Sequence, residues 1–257
     1  MKIFLSFLFF IYSINLFAQQ DSVAGKVYVF KDMPQTVDNN RIYTPIINVG
    51  HTTHLESFRV HHSTLKPGHQ LRPAHTQKTD EELIIVKEGK LSVTINGKNK
   101  VLGKGSVLVI MPGDEQTINN LDTSAASYYV FIYRSKAPRD SSRAVSAGGS
   151  MMIDWNDVAF KPHDKGGRRD FFNRPTAMIK RLEMHVTSLN QGLKSHEPHQ
   201  HFAEEIILLV QGNAKMQIGN SFYNGTSGDM FFLPSNTPHN LINTGEGQAI
   251  YYAFQFE

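Results

Sequence analysis

Two stretches of the chain decide its fold: residues 82–89, Glu82-Leu-Ile-Ile-Val-Lys-Glu-Gly89, and residues 205–212, Glu205-Ile-Ile-Leu-Leu-Val-Gln-Gly212. Each opens on Glu, continues through an apolar run and closes on Gly, and the second begins 123 positions after the first. A register kept over this length indicates an internal repeat, which has to be recognised before any other feature is interpreted. The same offset relates further pairs: Gly105 and Gly228, Gln116 and His239, Asn120 and Asn243, and Tyr128-Tyr129 and Tyr251-Tyr252.

Both copies have the pattern of β-structure. Short continuous apolar runs at 83–86 and 206–210 are typical of strands buried on both faces. Residues 90–95 alternate polar and apolar and then reach Asn96-Gly97, a strong hairpin signal. Further strands are predicted at 107–111 and 128–133 in the first copy, and at 215–218, 230–233 and 251–256 in the second. Many short strands with turn residues between them predict an all-β protein of two jelly-roll barrels, with helix confined to the connections.

The repeat also predicts the domain organisation. We expect a leader at 1–18, an N-terminal arm at 19–55, a first barrel at 56–135, a linker at 136–175 and a second barrel at 176–257. Residues 136–150 are rich in Ser, Ala, Gly and charge, which is typical of a flexible surface linker. Residues 151–174 are more mixed, and we expect irregular structure there, followed by a leading strand of the second barrel. Two such barrels should pack against each other as a pseudo-dimer.

The second copy contains two motifs that identify a family. Gly192 is followed by His199-Gln-His201-Phe-Ala-Glu-Glu205 and then, after six intervening residues, by Gly212. Gly228 is followed by Pro234-Ser-Asn236-Thr-Pro-His239 and then by Asn243. These stretches resemble the cupin motifs G-x5-H-x-H-x3/4-E-x6-G and G-x5-P-x-G-x2-H-x3-N. The spacing after Gly192 is one residue longer, and Asn236 stands where the motif has Gly; Asn tolerates positive φ better than most residues.

The resemblance implies that His199, His201, Glu205 and His239 bind one metal ion. Side chains at i and i+2 of a strand share a face, so His199 and His201 are both predicted to point into the barrel. Three imidazoles and one carboxylate suit a divalent transition metal such as Mn, Fe, Ni, Cu or Zn. In cupins this set leaves coordination positions open, as catalysis requires. His196 and Glu197 are predicted to lie at the rim of the site, and the catalytic residues remain unknown.

The first copy departs from the motif. His75 and Glu82 keep their positions, but Gln77 stands for His201 and Gln116 for His239. We therefore expect this degenerate site to bind no transition metal tightly. It is either purely structural or a pocket for a polar ligand, and the first interpretation is favoured. The other histidines of this copy, which fit no ligand spacing, are His51, His54, His61, His62 and His69.

The resemblance leaves the reaction open, because cupins include dioxygenases, decarboxylases, isomerases, hydrolases and binding proteins. Oxalate decarboxylases carry the ligand set in both copies, which this chain does not. Quercetinase-like dioxygenases have the same ligand set as the second copy. An enzyme that acts on a small oxygenated organic molecule is the favoured hypothesis. The alternatives are a non-catalytic barrel that binds a sugar or organic acid, and a structural module of an envelope assembly.

The N-terminus predicts export. Lys2 precedes an apolar run at 3–16, and Ala18 precedes the polar Gln19-Gln20, which is the layout of a signal peptide. The run is short for a membrane-spanning helix, so cleavage is favoured over an uncleaved anchor. The mature protein is expected to be periplasmic or secreted, without stable membrane insertion. A net charge of +3, with no concentrated basic stripe, argues against a nucleic-acid partner, and the sequence leaves a homodimer open.

Overall fold

The structure is a computed structural model that describes residues 21–257. The predicted signal peptide at 1–18 lies outside the described residues. Within residues 21–257, no helix is long and apolar enough to cross a membrane.

The described chain is built almost entirely from β-strands, arranged as two successive sets. The strands of the first set are Val27–Tyr28 (β1), Thr36–Val37 (β2), Arg41–Gly50 (β3), Leu55–Leu65 (β4), His75–Thr76 (β5), Glu81–Glu88 (β6), Lys90–Ile95 (β7), Lys98–Gly103 (β8), Val107–Ile110 (β9), Glu115–Asn119 (β10) and Ala126–Ser135 (β11).

A helix, Ser141–Ser146 (α1), separates the two sets. The strands of the second set are Met151–Ile153 (β12), Lys161–His163 (β13), Gly166–Arg174 (β14), Leu182–Leu189 (β15), Glu204–Gln211 (β16), Asn213–Ile218 (β17), Ser221–Thr226 (β18), Met230–Leu233 (β19), His239–Asn243 (β20) and Ala249–Phe256 (β21). Each predicted strand overlaps one of these strands, and α1 lies in the connection where helix was allowed. The all-β prediction is confirmed.

Apart from β1 and β12, each set forms its own barrel from one large and one small antiparallel sheet. In the first barrel, a seven-stranded sheet with the order β12-β9-β6-β11-β4-β3-β2 faces the smaller sheet β5-β10-β7-β8. In the second barrel, the order β1-β19-β16-β21-β15-β14-β13 faces β18-β17-β20. The alternating pattern of β7 places Leu91, Val93 and Ile95 in the first barrel's interior, which is lined with aliphatic and aromatic side chains. Asn96 and Gly97, at φ 47° and 76°, make the predicted turn into β8.

The two barrels exchange their edge strands. β1 precedes the first barrel in sequence but pairs with β19 of the second, where Val27 lies opposite Phe231. β12 precedes the second barrel but pairs with β9 of the first, where Met151 lies opposite Val109. Both segments belong to regions predicted as an arm and a linker. Here the structure differs from the sequence prediction, because each segment completes the hydrogen-bond ladder of the other barrel.

The predicted arm and linker also contribute strands to their own barrels. β3 lies within the 19–55 arm and pairs along its length with β4. β14 lies within the 136–175 linker and pairs with β15, so it is the leading strand expected in front of the second barrel. The barrels therefore begin earlier than the repeat alone indicated, since β3 and β14 fall before the aligned motifs.

The large sheets of the two barrels pack face to face through one shared apolar core. Phe131 of β11 meets Phe254 of β21 edge to face, with ring centroids 4.9 Å apart. Phe58 lies between Phe232 and Phe256, with centroid distances of 6.4 and 6.3 Å. This is the pseudo-dimer that the repeat predicts, enclosed within a single chain.

Candidate metal centre

The four predicted ligands come from three places in the second barrel. Glu205 is the second residue of β16, and His239 is the first residue of β20. His199 and His201 lie in the segment before β16. The sequence predicted a strand at these two residues, but the segment is not a regular strand. His199 makes an isolated bridge with His239, and the backbone carbonyl of His201 accepts a hydrogen bond from the Asn236 amide at 2.7 Å. The segment therefore pairs with the β19–β20 turn. This pairing, rather than a strand, holds the imidazoles of His199 and His201 in place.

The side chains of these residues converge inside the barrel. One ring nitrogen from each of His199, His201 and His239 lies within 4.8 Å of the others, a grouping that could hold a metal ion. Oε2 of Glu205 lies 3.1 Å from Nε2 of His201 and 3.3 Å from Nε2 of His239. The structure thus brings together all four residues that the sequence singled out.

The backbone sets the tautomers of two of the imidazoles. Nδ1 of His201 lies 2.8 Å from the carbonyl oxygen of Ala203, and Nδ1 of His239 lies 2.8 Å from that of Thr237. A carbonyl only accepts, so both Nδ1 atoms carry the proton and both neutral rings present an Nε2 lone pair. These lone pairs face a carboxylate oxygen, and Nε2 of His239 is buried without a hydrogen-bond donor. Such a set of acceptors fits a divalent cation between them.

Glu205 is charged at neutral pH although it is buried. Burial alone would raise the pKa of its carboxyl group, but hydrogen bonds from the His201 and His239 imidazoles, when these are protonated at Nε2, outweigh burial and lower the pKa to about 2. The same contact with Glu205 raises the pKa of His201. A buried carboxylate that remains ionised is a suitable ligand for a metal ion.

Two further polar groups touch the site. Nδ1 of His196 lies 2.9 Å from Nδ1 of His199, which places His196 beside the ligands as the sequence predicted. Gln255 was not predicted: its Nε2 lies 3.3 Å from both Oε2 of Glu205 and Nε2 of His201. Gln255 pairs in register with Glu205, as Ile132 does with Glu82 in the first barrel. The sequence contained a signal for Gln255, because the equivalent position in the first copy holds the apolar Ile132.

The model of the cupin domain matches the chain twice, over residues 61–133 and 185–254. These two ranges cover more than half of the chain and coincide with the two barrels. The chain belongs to the cupin family. Among curated proteins, none matches the sequence.

Solved structures resemble this bicupin over almost its whole length. The oxalate decarboxylase of Lactobacillus farciminis, in a formate complex, has a TM-score of 0.69 at 17% identity over 92% of this chain and 87% of that one. The protein Ylba of E. coli has a TM-score of 0.69 at 16% identity over 94% of this chain and 95% of that one. AerE of Microcystis aeruginosa has a TM-score of 0.68 at 12% identity over 91% of this chain and 100% of that one. At such low identities the likeness establishes the two-barrel fold alone.

The candidate metal centre of this bicupin opens into a cavity of about 290 Å³ inside the second barrel. Lys165 and Arg168, at the start of β14, give the cavity a basic side. Arg168 is bound to Asp170 and, at 2.9 Å, to Glu183. Nζ of Lys165 donates only to the carbonyl oxygens of Lys194 and Ser195, at 3.2 and 3.1 Å, among the residues described. Lys165 therefore has no carboxylate partner in the described part of the chain.

The corresponding centre of the first barrel is filled by amide groups. Nε2 of Gln77 donates to Oε1 of Glu82 at 2.9 Å, and Nε2 of Gln116 donates to Oε2 of the same carboxylate. His75 pairs with Gln116 in the ladder, at the place where His199 pairs with His239. Two neutral donors therefore satisfy the carboxylate that a metal would otherwise neutralise, in agreement with the predicted degeneracy of this site.

Proposed function

We propose that this chain is an exported cupin enzyme that acts on a small oxygenated organic molecule at a mononuclear metal site in the second barrel. One observation carries the proposal: the Nε2 atoms of His201 and His239, whose Nδ1 protons are held by backbone carbonyls, both lie within 3.3 Å of one oxygen of the buried, ionised Glu205 carboxylate. Export is supported by the sequence of residues 1–18.

His199, His201, Glu205 and His239 would hold the ion, which is Mn, Fe, Ni, Cu or Zn. When bound, such an ion polarises a substrate oxygen or, if it is redox-active, supports dioxygen chemistry. Gln255 helps to orient the Glu205 carboxylate through its 3.3 Å contact. The backbone carbonyls of Ala203 and Thr237 keep the imidazoles of His201 and His239 in the metal-binding tautomer.

The cavity favours a substrate with an acidic group. Lys165 and Arg168 line this cavity, and within residues 21–257 Lys165 has no carboxylate partner. Its ammonium group is therefore free to pair with a substrate carboxylate. Tyr251 lines the same cavity, and burial raises the pKa of its phenol to about 12. The phenol therefore stays protonated at neutral pH and is able to donate a hydrogen bond to a substrate oxygen.

The test is turnover by the purified protein loaded with each of the five metals in turn. Oxygen consumption is followed with phenols and enols, and isomerisation, decarboxylation or hydrolysis with small hydroxy and oxo acids. We expect turnover with one metal, its loss in a His199→Ala, His239→Ala variant, and a raised KM for acidic substrates in Lys165→Gln.

The competing function is a non-catalytic barrel that binds a small polar ligand. It is favoured by the first barrel, where Gln77 and Gln116 already occupy the carboxylate of Glu82. Stoichiometric metal without turnover on any of these substrate classes, together with saturable binding of one of them, would replace the enzyme proposal by this alternative.

A further inference from the structure

The first barrel contains the larger of the two barrel cavities. It measures about 640 Å³, against about 290 Å³ in the second barrel, and is within the size range of small-molecule sites. Its walls include Ile84, Ile118 and Val130, and the degenerate ligand positions lie at its inner end. An open pocket therefore lies beside the glutamines that stand in two of the ligand positions. The sequence had favoured a purely structural first barrel.

The inner end of this cavity presents hydrogen-bond acceptors that have no donor. Gln116 is only 1% exposed; its Nε2 is used by Glu82, and its Oε1 has no partner. Nδ1 of His75 contacts the carbonyl oxygen of Pro73 at 3.3 Å, so its buried Nε2 is a second acceptor without a partner. Buried polar atoms of this kind cost free energy unless they are satisfied. Ligand hydroxyl groups would supply the missing donors.

The outer part of the cavity is lined by three arginines, Arg41, Arg59 and Arg72. Arg41 contacts Asp38 at 3.4 Å and Arg59 contacts Asp80 at 3.3 Å. The exposed side chain of Arg72 has no acidic partner within residues 21–257, so its guanidinium is available to a ligand.

The imidazole of His61 lines the same cavity, and both burial and the charges of these arginines affect its pKa. Burial, followed by the charges of Arg41, Arg59 and Arg72, lowers the pKa of His61 to about 4. His61 is therefore neutral at pH 7, and the positive charge of the cavity resides on the guanidinium groups, which pair well with carboxylates.

We propose that the first barrel binds a small hydroxycarboxylate without a metal, with the carboxylate at Arg72 and the neighbouring arginines and the hydroxyl groups at Gln116 and His75. The acceptors at the inner end select hydroxyl groups, and the arginines select the acid. The site is independent of the metal chemistry of the second barrel. It makes the chain a protein with two different small-molecule sites.

The test is calorimetric titration of the full chain carrying His199→Ala and His239→Ala, in the presence of a chelator, so that the second-barrel metal site is disabled. The probes are gluconate, its uncharged counterpart sorbitol, and succinate, which has carboxylates but no hydroxyl group. We expect gluconate to bind with one-to-one stoichiometry. Sorbitol and succinate should each bind at least about tenfold more weakly, since each lacks one half of the recognised chemistry.

Two substitutions locate the binding. Arg72→Gln should weaken gluconate binding about tenfold, and Val130→Trp should abolish it by filling the cavity. Arg139→Gln removes a guanidinium that does not line the cavity and should leave the affinity unchanged. Absence of gluconate binding, equal affinity for sorbitol, or unchanged affinity in Arg72→Gln would each overturn the proposal. Arg72 is exposed, so its variant should fold even if Val130→Trp does not.

Discussion

Gln77 and Gln116 hold in the first barrel the positions that His201 and His239 hold in the second. Both glutamines donate to Glu82, so amide hydrogen bonds satisfy both carboxylate oxygens. In the second barrel, the equivalent Glu205 lies beside two imidazole nitrogens, a set of groups that suits a metal cation. The proposed difference between a metal centre in one barrel and an organic pocket in the other therefore rests on two side chains within a shared backbone frame.

Restoring both imidazoles should restore a metal site. We predict that Gln77→His with Gln116→His raises the bound transition metal from one to two equivalents per chain, because His75 and Glu82 are already in place. The number of metal equivalents per chain is measured by inductively coupled plasma mass spectrometry after metal loading and gel filtration. The matched control is Gln77→Leu with Gln116→Leu, which should remain at one equivalent. A folded histidine variant that also remains at one equivalent would contradict the equivalence of the two centres.

The turn between β19 and β20 shows how one connecting element positions the ligands. Asn236 adopts φ 55°, the left-handed conformation that the family motif provides with Gly. Its amide donates to the carbonyl oxygen of His201, which ties the turn to the ligand-bearing segment. The sequence predicted that Asn could serve here, and the conformation confirms it.

We predict that Asn236→Ala lowers the free energy of unfolding by about 1 kcal/mol, because a Cβ residue without a polar side chain is strained at positive φ. It should also weaken metal binding, since strain in the turn displaces the backbone amide of residue 236, which holds the segment that carries His201. Asn236→Gly is the matched control and should preserve both properties. Chemical unfolding and metal titration measure the two effects. An Asn236→Ala variant as stable as the Gly variant would show that the turn does not depend on this conformation.

At the scale of elements, strands with a strong local pattern were predictable and the short edge strands were not. β6 and β16 are continuous apolar runs, and β7 alternates before its Asn-Gly turn, so periodicity and turn chemistry suffice to predict them. β1 and β12 are two and three residues long and are stabilised by pairing with the opposite barrel. Nothing local encodes that pairing. The convergence of the four proposed ligands was predictable from motif spacing, whereas the position of Gln255 beside them depends on the register between β16 and β21.

The whole molecule is joined by two buried glutamates in equivalent positions. Glu204 of the second barrel accepts hydrogen bonds from Oγ1 of Thr52 at 2.5 Å, the amide of Thr53 at 2.9 Å and the amide of His54 at 3.1 Å, just before β4. Glu81 of the first barrel accepts from the amide of Met178, just before β15, at 3.2 Å. Each barrel thus anchors the segment that leads into the other, in addition to the shared apolar core.

We predict that Glu204→Gln lowers the free energy of unfolding of the whole chain by about 2 kcal/mol, because an amide cannot accept all three hydrogen bonds and Glu204 is 1% exposed. The metal content should be unchanged, since Glu204 is directed away from the ligands towards the first barrel. Thermal and urea unfolding measure the change. Glu246→Gln on the surface is the control. Equal stability of the two variants would show that the glutamate contacts do not hold the barrels together.

The central claim is that the second barrel alone holds a single metal ion, and metal content tests it most directly. The purified protein is loaded with Mn, Fe, Ni, Cu or Zn in turn, desalted and analysed by plasma mass spectrometry. The comparison variants are His199→Ala with His239→Ala, and His51→Ala with His69→Ala as the matched control. The account predicts about one equivalent of one metal in the native protein and in the control, and none in the site variant. Folded native protein that retains none of these metals, or a site variant that retains the full equivalent, would contradict it.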